Sequence, residues 1–406
     1  MKAFLTSLLL LAGCGGRAQD RCLAVKADLD ACVGTTLAEL DCATLSDGDL
    51  DRIHDLTAGT ACSLLSGSLP LDGDYLSAAC RLLDVGCVAP VTPSMPTQPA
   101  RLPILLVNGI DTSPLFRYST RIVSSLTEAG QPVYLATLPP FQPPRKRAPL
   151  LWQRVQEVMA ATGASQVNLV CHSLGGLDCR YLVSPAGLPA DLGDDAPTLA
   201  VASITTVATA HLGTPVADAL VGDVPGGDRA KTVTDFASLI GDWFTPSVLM
   251  HDADVVASLG ALSRPEARAF AAQIVDAPGI AYQSYAGVST PRGEVSAALE
   301  ARIVTACTPD DRADAVLGGP QIRHDRLALP LVPLAALLVD SDGQPLPSDG
   351  LVAVASARWG RFRGCVMADH MEQLGQHDLP DVNVRTGFDV ARFYQNVASD
   401  LAGRGF

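Results

Sequence analysis

The sequence predicts an α/β fold: a mostly parallel sheet with helices on both faces and a helical insertion, preceded by a small helical, disulfide-rich module. Three observations predict it. From residue 101 onward, short continuous apolar runs alternate with helix-length segments, as expected of strands buried on both faces of a parallel sheet. One of those runs, Val167–Val170, passes through a tight segment with two glycines into a helical stretch. Six cysteines, Cys22, Cys32, Cys42, Cys62, Cys80 and Cys87, crowd ahead of a proline-rich segment, which sets a separate module apart.

The chain has 406 residues and a formal net charge of −14. That balance argues against a nucleic-acid partner, which asks for a basic face. Met1-Lys2 followed by the apolar stretch Ala3–Ala12 has the layout of a signal peptide and is too short to span a bilayer. Leu11-Ala12-Gly13-Cys14 resembles a bacterial lipobox, which implies a signal peptide over residues 1–13 and a lipid anchor on Cys14. Cleavage after Ala18 in an ordinary signal peptide is the alternative, and the chain is then secreted. Gly15 rather than Asp after the cysteine, by resemblance to bacterial lipoproteins, implies the outer membrane. In an exported chain the six clustered cysteines read as three disulfides with 15 connectivities. Residues 20–87 hold 12 acidic and 4 basic residues, a net of −8. The module at 14–87 is either a spacer behind the anchor or a binding module for an unidentified partner. Four prolines in residues 88–100 make an extended, semi-rigid linker, and a second domain occupies 101–406.

Within that domain, Pro103–Val107 reads as the first strand, ended by Asn108-Gly109. Ile122–Ala129 suits a helix, Pro132–Thr137 a strand, and Leu150–Ala161 a helix with Leu151, Val155 and Val158 on one side. Val167–Val170 is a strand, Leu174–Leu182 a helix, Ile204–Ala208 a strand and Tyr282–Ala286 a late strand. Residues 219–262 form a long insertion of helical character, with Leu239, Ile240, Trp243 and Phe244 close together.

The strand, turn and helix around Ser173 form a nucleophile elbow of the α/β-hydrolase type. The turn strains the serine backbone and exposes its hydroxyl, and small neighbours let strand and helix approach. Gly175 and Gly176 supply the small side, but Cys171 stands where the usual pattern has glycine. Cys171, at the strand end, and Cys179, on the following helix, are expected to be buried thiols behaving as small hydrophobes. A serine nucleophile needs a histidine base oriented by a carboxylate, in the chain order Ser, Asp/Glu, His for this fold. That order excludes His54, His172 and His211, and His251 falls in the insertion. His324 precedes the best acid candidates, which leaves His370 and His377. Ser-Asp-Gly occurs at 341–343 and at 348–350, so Asp342 and Asp349 both stand as acids. One oxyanion donor is the backbone N–H of the residue after the nucleophile, Leu174.

Val167-Asn-Leu-Val-Cys-His-Ser-Leu-Gly-Gly-Leu-Asp-Cys-Arg-Tyr181 resembles the elbow of the bacterial family I (Pseudomonas-type) triacylglycerol lipases. Val107-Asn-Gly-Ile110, Ala210-His-Leu-Gly-Thr-Pro215, Asp349-Gly-Leu-Val352 and Asp369-His370 follow in that family's order. The resemblance covers residues 101–406. It implies Asp349 as the acid, His370 as the base and Ile110 as the second oxyanion donor, with Asn108 where the family has His. It implies that His211 packs beside the site and that 219–262 is a lid over an acyl groove, a plain cap being the alternative. It also implies a structural Ca²⁺ held by Asp325, Glu372 and Gln376, where the metal-free reading is a hydrated surface helix start. Cys307 and Cys365 are the remaining pair for a disulfide over the same region. No cofactor is expected for the chemistry. The expected activity is ester hydrolysis, a lipase acting on acylglycerols through an acyl-enzyme. A non-catalytic lipid- or partner-binding lipoprotein and a phospholipase or polyesterase are the alternatives.

Overall fold

Strands and helices alternate from residue 104 onward in the computed structural model. It describes residues 98–113, 116–221, 254–293, 295–311, 324–376, 383 and 386–406. The signal peptide, Cys14, the six-cysteine module, most of the linker and of the insertion, His251 and His377 lie outside the described residues. The strands are β1 (Ile104–Val107), β2 (Val133–Ala136), β3 (Val167–His172), β4 (Val201–Val207), β5 (Ala281–Gly287) and β6 (Arg361–Val366). All pair in parallel, in the order β2-β1-β3-β4-β5-β6. The principal helices are α1 (Thr120–Glu128), α2 (Pro144–Thr162), α3 (Leu174–Val183), α4 (Pro215–Val221), α5 (Val255–Ala261), α6 (Arg264–Gln273), α7 (Ala297–Ala306) and α8 (Val390–Gly403).

The strands are short apolar runs because both faces of the sheet are covered. Ile104, Leu106, Val170 and Val207 pack on one face under Ile122 and Leu126 of α1 and Phe393 and Val397 of α8. Leu105, Val107, Leu169 and Cys171 alternate with them and pack on the other under Leu151 and Val155 of α2 and Leu182 of α3. Each such side chain contributes about 1.5–3 kcal/mol by leaving water, and Leu105→Ala in this filled layer costs about 2–5 kcal/mol. The chain leaves β1 toward β2 and returns to β3 on β1's other side. The carboxyl ends of β1 and β3 therefore flank a switch point of the sheet, the place where open α/β sheets bind ligands.

Three expectations change. The second helix starts at Pro144 rather than Leu150, because Pro144 suits a first helical position, where no N–H is needed. The linker ends earlier: Ala100 is buried and its N–H donates to Gln131 Oε1 at 2.6 Å. Cys171 and Cys179 are not free thiols but a disulfide. Both belong to the cluster packed between β3 and α3, so a side chain at the glycine position of the turn meets the helix that leaves it. Cys307, at the end of α7, is bonded to Cys365 of β6, as expected. A two-residue parallel ribbon, Ser289–Thr290 with Asp325–Arg326, follows β5 and brings Asp325 to the site end of the sheet.

Candidate active site

β3 delivers Ser173 at its carboxyl end with φ 53° and ψ −128°, a left-handed backbone that a non-glycine residue adopts only at a cost. The surroundings enforce it. Ser173 N–H donates to the Val207 carbonyl at 3.0 Å, and Thr209 Oγ1 donates to the Ser173 carbonyl at 2.8 Å. α3 starts at once and runs close under the loop after β1. A Cβ on Gly175 would lie 2.5 Å from the Asn108 carbonyl oxygen, and one on Gly176 would lie 2.1 Å from Thr209 Oγ1. The two glycines are required by contact, not by flexibility.

Asp349 sits in a turn ahead of β6. Its Oδ1 accepts the N–H groups of Leu351 (3.0 Å) and Val352 (2.7 Å), and its Oδ2 lies 2.8 Å from His370 Nδ1. The His370 N–H also donates to the Asp349 carbonyl at 3.0 Å. Asp349 and His370 are each 1% exposed. Both carboxylate oxygens thus have hydrogen-bond partners within the protein. Ser173 and His370 line one pocket with Ile110, Phe116, Leu259, Leu262, Leu331 and further apolar side chains. The pocket opens to solvent. Leu259 and Leu262 come from the described end of the insertion. His172 is not the partner base. Its Nε2 lies 3.1 Å from the His370 carbonyl and its ring 4.6 Å from the His370 ring. Burial, then the neighbouring His370, hold its pKa well below the usual value, so it is a neutral donor that braces the base. His211 lies behind the site, between Thr206 Oγ1 (3.1 Å) and Arg180 (3.3 Å).

The loop after β1 is held from within. The buried Asn108 accepts the Leu138 N–H at 2.7 Å, and its amide donates to the carbonyls of Gly109 (3.1 Å) and Asp111 (3.2 Å). Asn108 thus organises the loop through its side chain. Arg147 of α2 donates to the Asn108 carbonyl at 3.0 Å and pairs with Asp178 of α3 at 3.0 Å; both side chains are fully buried. Sequence reading missed both, since only the fold brings α2 and α3 together here. Burial pushes Asp178 up to about 7 against the opposing pull of Arg147. Ile110 lines the pocket, and its carbonyl accepts the Phe141 N–H at 2.9 Å. Leu174 begins α3, where the first N–H groups have no intrahelical acceptor.

Asp325 and Glu372 come together, and Asp369 joins them. One oxygen from each lies within 4.8 Å of the others. Burial first, and then a neighbouring carboxylate, raise all three: Asp369 to about 6, Glu372 to about 8 and Asp325 well above the usual range. Asn383 donates to Asp325 (2.7 Å) and to Glu372 (3.0 Å), while Asp325 Oδ2 has no hydrogen-bond partner among the described residues. An orphaned buried carboxylate oxygen among mutually repelling acids fits a hard cation. Gln376 follows Gly375, whose φ of 76° turns the chain away, and its amide donates to the Arg117 carbonyl at 2.7 Å. That bond occupies the amide nitrogen and not the oxygen, which is the atom a hard cation takes; the acid beside the base, Asp369, is the group that sequence reading passed over.

No family model matches the chain. A triacylglycerol lipase of Pseudarthrobacter phenanthrenivorans is 32% identical over 68% of this chain and 89% of its own. One of Burkholderia plantarii is also 32% identical, over 68% of this chain and 79% of its own. The chain belongs to the triacylglycerol lipase family. A Vibrio cholerae triacylglycerol lipase is 28% identical over 69% of this chain and 82% of its own. Staphylococcus hyicus lipase shares the fold, with a TM-score of 0.50 at 16% identity, covering 77% of this chain and 98% of its own. The lipase is an α/β-hydrolase-fold carboxylic ester hydrolase, as its sequence predicts. Its Ser173, His370 and Asp349 stand at the carboxyl ends of the strands, beside the switch point.

Proposed function

We propose that the lipase cleaves acylglycerol esters through an acyl-enzyme on Ser173. His370 takes the serine proton and returns it to the leaving alcohol, and Asp349 holds His370 Nδ1–H so that Nε2 faces the chemistry. The N–H groups of Ile110 and Leu174 receive the oxyanion, where loss of one donor costs about 100–1000-fold in rate. The observation that carries the reading is the Asp349–His370 pair, with His370 and Ser173 at the mouth of one apolar pocket. Its lining of Leu, Val, Ile, Ala and Phe suits an acyl chain, at about 0.8 kcal/mol per buried methylene. The relatives' names favour triacylglycerol over a phospholipid or a polyester.

Three further assignments belong to this reading. Asp325, Asp369 and Glu372, with the Gln376 oxygen beside them, would hold a structural Ca²⁺ that braces the His370 loop. The segment over 219–262 is a lid, consistent with Leu259 and Leu262 facing the pocket. The chain is exported and anchored through Cys14 in the outer membrane, with the module at 14–87 spacing the enzyme from the lipid or holding a partner.

The test is labelling of the purified protein with a fluorophosphonate. It is followed by assays on p-nitrophenyl esters and triglycerides of rising chain length. Labelling of wild type and none of Ser173→Ala is expected, with activity on triglyceride. Equal labelling of both proteins sinks the serine assignment. Lipid mass on the Cys14 peptide tests the anchor.

A further inference from the structure

We propose that Gln373 is a positioning residue of the ester-cleaving site, a donor that fixes the acid Asp349 against the loop carrying the base. The inference rests on the reading of Ser173, Asp349 and His370 given above.

Gln373 is fully buried, three residues after His370 in a short helical turn. Its amide nitrogen has two acceptors: Asp349 Oδ2 at 3.2 Å and the Asp369 carbonyl at 3.1 Å. Both neighbours can only accept, so the amide's orientation is fixed by its surroundings. One N–H therefore grips the carboxylate oxygen that His370 uses, and the other grips the backbone just ahead of His370. A single NH₂ group ties acid to base through a rigid planar unit. The rest of Gln373 is anchored too. Its backbone carbonyl accepts from Tyr394 Oη of α8 at 2.9 Å. A Cβ on Gly287, at the end of β5, would lie 2.2 Å from Gln373 Nε2, so the sheet leaves a glycine-sized gap for this amide.

Packing alone does not explain a glutamine here. Its Oε1 is buried and has no hydrogen-bond partner among the described residues, which is a stability cost that an apolar side chain of the same length would avoid. A residue retained for stability would not leave an acceptor stranded. A residue retained for its two donors would. Glutamate in the same place would set a second negative charge against Asp349 and lose the donors.

The experiment uses the full chain with Gln373→Met, Gln373→Glu and Ser173→Ala. It measures kcat and KM on a soluble ester, per fluorophosphonate-titrated site for wild type and the Gln373 variants and per total protein for Ser173→Ala, together with Tm. Gln373→Met is expected to lower kcat about 10- to 100-fold, to leave KM within about twofold, and to leave Tm unchanged or raised. Gln373→Glu, nearly identical in shape, is expected to lower kcat at least as far. Full kcat per titrated site in both variants overturns the inference, as does a Gln373→Met that loses Tm but keeps kcat. Should Gln373→Met fail to fold, Gln373→Glu decides alone. Undiminished activity of Ser173→Ala instead overturns the underlying reading, so the two failures are told apart.

Discussion

Arg147 separates stability from catalysis in one experiment. Its guanidinium is wholly buried, 3.0 Å from Asp178 and 3.0 Å from the Asn108 carbonyl. Arg147→Met removes both contacts at once. Breaking a buried pair from one side typically costs about 3–5 kcal/mol, because the remaining charge is stranded. Here the lower figure is expected: Asp178 is already pushed up to about 7 by burial, so near neutral pH it sheds its charge by taking a proton. At about 2–4 °C per kcal/mol, the single variant should melt roughly 6–12 °C lower. Arg147→Met combined with Asp178→Leu removes the whole pair and is expected to recover most of that loss, since apolar replacement of both partners is often neutral or better. The Asn108 carbonyl remains unheld in both proteins. The loop bearing Ile110 then loses its outer brace, and kcat should stay about 10- to 100-fold down in the double variant. Differential scanning calorimetry and ester kinetics on the same preparations read the two effects. A double variant with restored Tm and full kcat would refute the bracing role, and a single variant within about 1 kcal/mol of wild type would refute the energetics.

The two described disulfides should differ in worth. Loop closure over 58 residues predicts about 4 kcal/mol for Cys307–Cys365 and closure over 8 about 2.5 kcal/mol for Cys171–Cys179, so paired alanine replacements read by calorimetry should fall in that order. Gly175→Ala forces a Cβ toward the Asn108 carbonyl oxygen, and steady-state kinetics should show a fall in kcat of at least about tenfold. In chelator, Glu372 is raised from 4.5 to about 8 by burial and its neighbours. A carboxyl raised on folding contributes its stability below the unfolded value and loses it as pH rises through about 8. Metal-free lipase should therefore lose melting temperature between pH 5 and pH 8, and added Ca²⁺, which binds the ionised carboxylates, should restore more at pH 8 than at pH 5. Identical melting curves with Ca²⁺ and with chelator at both pH values would count against the metal.

Much of the sheet was legible because its strands are short apolar runs buried on both faces, and β1 to β5 fall within a few residues of expectation. β6 was not read, since Arg361, Arg363 and Gly364 interrupt its apolar run. Only the fold shows that the nearly buried Arg363 is neutralised by Asp400 of α8, at 2.9 Å. At the site, motif and order narrowed the acid to Asp342 or Asp349 and the base to His370 or His377, and the family resemblance singled out the pair that the fold brings to 2.8 Å. Asp369 was not, since an acid beside a histidine looks like a solvated charge until Asp325, far upstream, is folded against it. Asn108 was legible only as a residue standing where the family has His, and its side chain turns out to organise the loop. Gln373 carries no signature at all: a glutamine in a helical turn acquires meaning only through what it touches.

The bond between Cys171 and Cys179 also bears on how such a site can change over time. At the glycine position of the turn, an unpaired cysteine leaves a thiol wedged against α3, and a cysteine at 179 alone leaves one buried in the helix face. Neither replacement is useful without the other, whereas together they tie the strand that delivers the nucleophile to the helix that follows it. The two positions should consequently be gained and lost as a unit. Relatives in which residue 171 is glycine are expected to have an ordinary apolar residue at 179, and lineages with only one of the cysteines should be rare and short-lived.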